Sequence, residues 1–461
     1  MFKQFFGDKA FYKRLFLLML PIMIQNGITN FVNMLDNIMI GSVGTDQMTG
    51  VAIANQLFFV FNLCIFGAVS GAGIFGAQFF GKKDHSGVHY TFRFKLLFCT
   101  LLTLGGTALF LLGGHPLLSL YMQGEQGVTD SVATMAYAHS YLLIMLIGLL
   151  PYSLTQCYSS TLRESGNPTL PMTAGVIAVL TNLFGNYVLI FGKFGAPALG
   201  VNGAAIATVI SRFVELAVVA FFAHKNKTKY DFLVGVYRRF TIPKKLVGQL
   251  LIKGAPLMLN ETMWAAGLAV VGQCYSYRSL DAMSAVNISQ TFWNVFSIAY
   301  MAVGVAIGIL LGQTLGANKL EEAKRDSYRL ITVSFLISLV VSAIYAICAE
   351  FIPLAYNTAP EIRSLATTLM QITALAMPFD AITHASYFTL RSGGKMAVTI
   401  VFDCGFMWLG NVLIAFLLSR FTTLSFVGLF TVVQMIAVVK SIIGILLVKN
   451  GFWVKNITQT V

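Results

Sequence analysis

Twelve apolar runs, most of them 20 residues or longer, dominate this chain. They cover roughly 15–40, 51–79, 92–113, 133–157, 168–192, 200–223, 250–276, 283–313, 328–350, 364–391, 396–419 and 424–448. A helix of about 20 apolar residues crosses the hydrocarbon core of a bilayer. In lipid the backbone must satisfy its own hydrogen bonds, so each run is expected to be helical. Composition excludes a soluble packing. Hydrophobic residues make up 57% of the chain and charged residues 11%, whereas soluble domains carry about 25% charge. The expected fold class is all-α integral membrane, with twelve transmembrane helices.

Lysine and arginine set the orientation. With the N terminus in the cytoplasm, 25 of the 31 lysines and arginines fall in cytoplasmic segments. Only Lys193, Arg278, Arg363 and Arg420 fall in outer loops, and Arg212 and Lys440 lie within spans. Both termini are therefore expected in the cytoplasm, with the chain in the cell's inner (plasma) membrane. The same asymmetry accounts for the net charge of +13, so no nucleic-acid partner is needed. The basic start "MFKQFFGDKAFYKR" runs into an apolar stretch without a small-residue cleavage signal, so a removable signal peptide is not expected. Six scattered cysteines show no CxxC or CxxH spacing. They read as small hydrophobes between helices, not as a disulfide or metal framework.

The sequence repeats itself. Pro21, "TDQM" at 45–48, Val51, Gln78 and Gly81 are matched by Pro256, "LDAM" at 280–283, Val286, Gln313 and Gly316, each 235 residues on. "TLR" at 161–163 and 389–391 recurs with an offset of 228. Residues 1–223 thus form an N-lobe of six helices, 224–249 a cytoplasmic linker, and 250–461 a C-lobe of six. Six helices per half give a pseudo-two-fold axis along the membrane normal, a repeat type found in transporters. The substrate site is expected between the halves. Gly67 and Gly71, and Gly304, Gly308, Gly312 and Gly316, recur every fourth residue and are expected to let helices approach closely.

A charge in the hydrocarbon layer costs from about 3 to over 10 kcal/mol, so it normally faces a cavity, pairs, or takes up a proton. Asp36 has no lysine or arginine within four residues. Glu261 follows Pro256, and Asp380 follows Pro378. His384 is one helical turn from Asp380 and could share a proton with it. Asp403 can serve as a secondary site with His384, or pair with Arg391 or Lys395. Glu215 and Arg212 sit three apart and are expected to neutralise each other. Asn182 and Asn186 share a helix face, where buried amides need partners. With Asp36 they could supply oxygens to a small cation or hold a protonated carboxyl.

These segments resemble the multidrug and toxic compound extrusion (MATE) family nearly end to end. The likeness is carried by "LPIMIQNGITNFVNMLDNIMIG", "AQFFGKKD", "TLRESGNPTLPM", "NYVLIFGKFGAPALGVNGAAIAT", "GAPLMLNETMW", "GQTLGANKLEEA" and "TLRSGG". It implies a two-lobed fold of twelve helices that exports organic, often cationic, compounds in exchange for Na⁺ or H⁺. It also implies a coupling site at Asp36, Asn182 and Asn186 in the N-lobe. Glu261 and Asp380 match the acids of the NorM-like branch in the C-lobe. Many members carry Asp where this chain has Asn186, and no aromatic stands one turn before Asp380, where Ala376 lies.

Function is expected to be antiport of small organic molecules by rocking of the two lobes. No cofactor beyond the coupling ion is expected, and no metal beyond Na⁺ at the coupling residues. The partners are the bilayer and small-molecule substrates, and the chain is expected to act as a monomer. A lipid-linked-sugar flippase of the same superfamily is the alternative, but its cavity should be lined with Arg or Lys. An enzyme is not expected, since the six histidines do not cluster in sequence.

Overall fold

The computed structural model describes residues 5–122, 131–238, 240–356 and 358–460. Lys3 and Arg239, two of the charges counted for orientation, lie outside the described residues. Helix is the regular structure throughout, with no strand among the described residues. In chain order come α1 (Lys9–Gly41), α2 (Thr45–Gly81), α3 (His85–Met122), α4 (Ser131–Ile147), α5 (Leu149–Glu164), α6 (Thr169–Phe191) and α7 (Gly200–Lys225). After a short 3-10 turn follow α8 (Lys244–Arg278), α9 (Leu280–Phe296), α10 (Ile298–Gly316), α11 (Leu320–Cys348) and α12 (Pro360–Ser392). A composite helix completes the set, made of α13 (Met396–Ile400), a π-helical stretch (Val401–Val412) and α14 (Leu413–Phe421), and α15 (Phe426–Lys449) is last.

All twelve expected spans fall on these helices. Ten helices are long and apolar enough to cross a membrane, and the pair α4–α5, bent by 49°, makes an eleventh span. The bend falls at Gly148, between the two helices. The remaining expected span falls on α8, 35 residues long, which is not among those eleven. It carries Lys244, Lys245, Lys253 and Glu261, which lower its apolarity while its length remains ample. Capping follows sequence. Ser279 and Ser425 accept hydrogen bonds from the first-turn amides of Ala282 and Gly428. Gly192, at φ +64°, ends α6 in the left-handed conformation that glycine adopts without steric cost.

The chain forms two compact units. One comprises Met1–Met23, Ala77–Lys83 and Leu259–Val461, the other Ile24–Gly76 and Asp84–Met258. Helices α1 and α8 thus each change unit just beyond a proline, Pro21 and Pro256. Proline inside a helix removes a backbone hydrogen bond and crowds the preceding turn, which marks a natural place to redirect a helix.

Glycines set the close helix contacts in each unit, as their spacing predicts. In the second unit an added Cβ at Gly67 or Gly71 would stand 2.5 Å from the Cα of Met258 or Gly254 of α8. Gly203 of α7 likewise lies against the α6 backbone, 2.5 Å from Leu189 O for an added Cβ. In the first unit Gly308 faces Phe388 of α12, and Gly312 faces Ala77 at 2.8 Å. Gly81 and Gly316 contact reciprocally: an added Cβ on either would lie 2.7 Å from the Cα of Gln313 or Gln78.

Candidate functional site

In the second unit, α1, α6 and α7 bring together one carboxylate and three neutral polar groups. Asn186 and Asn182, one turn apart on α6, are nearly fully buried, while Asp36 of α1 is half-buried beside them. The Asn186 amide nitrogen donates to Asp36 Oδ1 at 2.6 Å and to Asn182 Oδ1 at 3.3 Å. Thr208 of α7 closes the group, with Asn182 Nδ2 donating to its Oγ1 at 3.1 Å. In that arrangement the Asn182 oxygen faces the Asp36 carboxylate. Turned over, the amide donates to Asp36 Oδ2 at 2.9 Å and accepts from Thr208 Oγ1 at 3.1 Å. Only in this orientation do both ends of the amide meet complementary partners, so Asp36 accepts from the amides of Asn182 and Asn186. Asn186 Oδ1 is buried without a partner among the described residues. These carboxylate, amide and hydroxyl oxygens are hard donors that fit a small cation.

The first unit holds the other acids, and it treats them differently. Tyr387 donates to Glu261 Oε1 at 2.9 Å, and Arg391 Nη1 stands 3.6 Å from the same oxygen. Arg391 is 3% exposed, so this cation is built into the helix bundle, not held in a loop. Lys440 of α15 donates to Asp403 Oδ1 at 2.9 Å, and Asn260 donates to Oδ2 at 2.9 Å. Asp403 therefore pairs with Lys440, not with Arg391 or Lys395. Lys440 reaches it because the π-helical stretch and α15 pack side by side. Asn260 also leans on Tyr387 Oη at 3.4 Å, linking the two ion pairs.

Asp380 stands apart. It makes no ion pair or hydrogen bond among the described residues, and the charged group that acts on it is Lys440. His384 lies one turn away but does not bond it. The His384 ring packs on Phe388 at 4.9 Å and its Nδ1 is buried without a partner among the described residues. The two share a helix face, as the spacing predicts, and no hydrogen bond joins them among the described residues.

Two further expectations change. Arg212 and Glu215 form no ion pair within 4.0 Å among the described residues. Arg163 of α5 and Arg212 both act on Glu215, and Arg212 lies 5.1 Å over the Tyr152 ring. Arg93 and Lys95, read as loop charges, are 4% and 1% exposed. Lys95 Nζ meets Glu164 at 2.6 and 2.7 Å, with Ser160 and Thr161 at 3.2 Å. Sequence reasoning missed Asn260, Thr208 and Tyr387. "LNE" at 259–261 and "TV" at 208–209 carry no spacing signal toward their partners, which sit on distant segments. The in-span position of Lys440 was the one available hint that a buried acid had a resident cation.

Comparison with known proteins follows the same lines. A profile of the MatE family matches residues 21–188 and 256–417, two stretches that begin 235 residues apart, as the internal repeat does. The chain is 25% identical over 458 residues to the "Probable multidrug resistance protein NorM" of Thermotoga maritima, covering 97% of this chain and 94% of that one. It is 26% identical over 380 residues to the "Multidrug resistance protein MdtK" of Yersinia enterocolitica, covering 80% and 79%. Its fold is similar to an outward-facing conformation of a multidrug resistance MATE family transporter of the MOP superfamily, with a TM-score of 0.86, 18% identity and 96% coverage of each chain. With its all-helical membrane fold, its repeat and a family match across both halves, this chain belongs to the MatE family of transporters.

Proposed function

We propose that this chain is a secondary active antiporter that exports organic cationic or amphipathic compounds in exchange for Na⁺ or H⁺. One observation carries the reading. Among the membrane-embedded acids, Asp36 is surrounded by neutral oxygen and amide groups and makes no ion pair among the described residues, whereas Glu261 and Asp403 have resident cations. An acid kept in the membrane without a built-in counter-charge is a site for a mobile one. Asp36, Asn182 and Asn186 take the coupling ion in the N-lobe, and Thr208 orients the Asn182 amide. Asp380 is the second open acid, with Glu261 contributing when Arg391 yields its place.

The transport cycle alternates access by rocking of the two six-helix lobes, 1–223 and 250–461, with both termini cytoplasmic in the inner membrane and the chain acting as a monomer. Drug and ion favour opposite states, so release of one promotes binding of the other. The names of the relatives, multidrug resistance proteins, support small organic substrates. A flippase for a lipid-linked sugar fits less well, because buried Arg391 and Lys440 already sit on carboxylates. The test is efflux of a fluorescent organic cation from proteoliposomes under imposed Na⁺ and H⁺ gradients. Acceleration by either gradient is expected, and its loss in Asp36→Asn ties the effect to the site. If neither gradient drives efflux, antiport is wrong.

A further inference from the structure

The linker read from the sequence as a simple connection is instead docked on the second unit. Arg93 of α3 donates to the carbonyls of Val236, Gly235 and Thr241 at 2.7, 3.1 and 3.1 Å, spending its guanidinium on the backbone of this segment. Phe232, Leu233 and Val236 are 4%, 2% and 1% exposed, and Phe232 packs on Phe92 at 5.7 Å. The opposite side of the segment is left outward: Val234 is 58%, Tyr237 57% and Phe240 45% exposed, and Arg238 stands among them.

Beside this segment opens a cavity of about 460 Å³. That falls within the roughly 300–1,000 Å³ of small-molecule pockets. Its walls are mostly apolar: Leu96, Leu97, Leu154, Leu216, Ala220 and Phe240, with Thr100 the polar exception. Leu97, Leu101 and Leu104, spaced for one helix face, are 47%, 57% and 59% exposed on a membrane-spanning helix, so the cavity adjoins a face that meets hydrocarbon. Its polar end is concentrated. Tyr158 and Tyr237 line the cavity and their hydroxyls bond each other, and the Tyr158 hydroxyl also meets His224 Nε2 at 3.0 Å. Exposed cations stand close to that end in sequence, and Lys227 acts on His224. Arg238 follows Tyr237 and Lys225 follows His224, and Lys227, Lys229, Lys244 and Lys245 are exposed on the same segment.

We propose that this cavity is a binding site for one anionic phospholipid, with an acyl chain between α3, α5 and α7 and its phosphate at the tyrosine–histidine end under the basic segment. An apolar slot open to hydrocarbon takes a lipid chain because any other filling wastes apolar contact. Hydroxyl and imidazole groups at one end suit a phosphodiester, and the surrounding cations select a headgroup with net negative charge. Aromatic Tyr237 and Phe240 beside Arg238 match the side chains that settle at a membrane–water interface. The bound lipid would hold the docked segment against the helices it bridges.

The test uses the full-length protein purified in detergent and mixed with equal amounts of phosphatidylglycerol and phosphatidylcholine, with retained lipid counted by native mass spectrometry. Preferential retention of one phosphatidylglycerol is expected. Arg238→Gln and Lys225→Gln should each weaken that preference roughly fivefold, while leaving phosphatidylcholine retention unchanged. Leu97→Trp, which fills the slot from α3, should abolish retention of both lipids. Ala220→Phe fills it from α7 and gives the same reading should Leu97→Trp not fold. Equal retention of the two lipids by the wild type, or undiminished retention in a folded slot-filling variant, overturns the site. None of these readouts involves transport, so they stand independently of antiport.

Discussion

Lys440→Met removes the ammonium that sits 2.9 Å from Asp403 and leaves that carboxylate with the Asn260 amide at 2.9 Å. The two charged side chains are only 13% and 16% exposed, so water replaces little of what is lost. Breaking a buried pair from one side costs about 3–5 kcal/mol, because the surviving charge stays desolvated. Asp403→Asn combined with Lys440→Met removes both charges and retains a polar group opposite Asn260. Its cost should shrink to about 1 kcal/mol or less. Thermal unfolding in detergent, followed by tryptophan fluorescence, should therefore rank the double variant near wild type and Lys440→Met far below it. Efflux from proteoliposomes gives the second axis. If Asp403 serves only as partner to Lys440, the double variant transports. A double variant as unstable as Lys440→Met refutes the pairing energetics, and a stable double variant that cannot transport makes Asp403 a coupling residue.

Asp36→Asn keeps the side-chain shape but removes the charge facing Asn186, and gradient-driven efflux should fall at least about tenfold with thermal stability nearly unchanged. Equal efflux in mutant and wild type would show that the ion is bound elsewhere. Pro21→Ala and Pro256→Ala restore a helical hydrogen bond where α1 and α8 change unit. Each should raise the melting temperature, since an interior proline costs a helix about 3 kcal/mol, while slowing transport; unaltered rates would mean that neither proline serves the transport cycle. Gly316→Ala places a Cβ against the Gln78 backbone and should cost about 1–3 kcal/mol, read as a lowered melting temperature.

The fold was legible because hydrophobic length is a local property. Each span announces itself within its own twenty-odd residues, and the 235-residue offset between Pro21 and Pro256 or Gln78 and Gln313 needs only comparison along the chain. The Asp36 site was legible in part. Asn182 and Asn186 share a face by helical geometry alone, and Asp36 is conspicuous among apolar neighbours. Its exact partner was not, because which helix rotates which face toward α1 is decided by packing. The same gap explains Asp403. Its cation is 37 residues away on α15, farther along the chain than the Arg391 and Lys395 that sequence proximity favoured. Lys95 and Arg93 looked like loop charges because they stand at a span's edge. Burial depends on what covers that edge, namely Glu164 of α5 and the docked backbone at Gly235, Val236 and Thr241.

At the contact of Gly81 with Gln313 and Gly316 with Gln78, counterparts in the two repeats are also neighbours. Ordinarily two copies of an ancestral segment drift apart because each answers to its own surroundings. Here each copy is the other's surroundings, so a bulky replacement in one meets backbone contributed by its twin. Likeness at this seam is thus enforced by contact as well as inherited, and an engineer who alters one side must reshape the other.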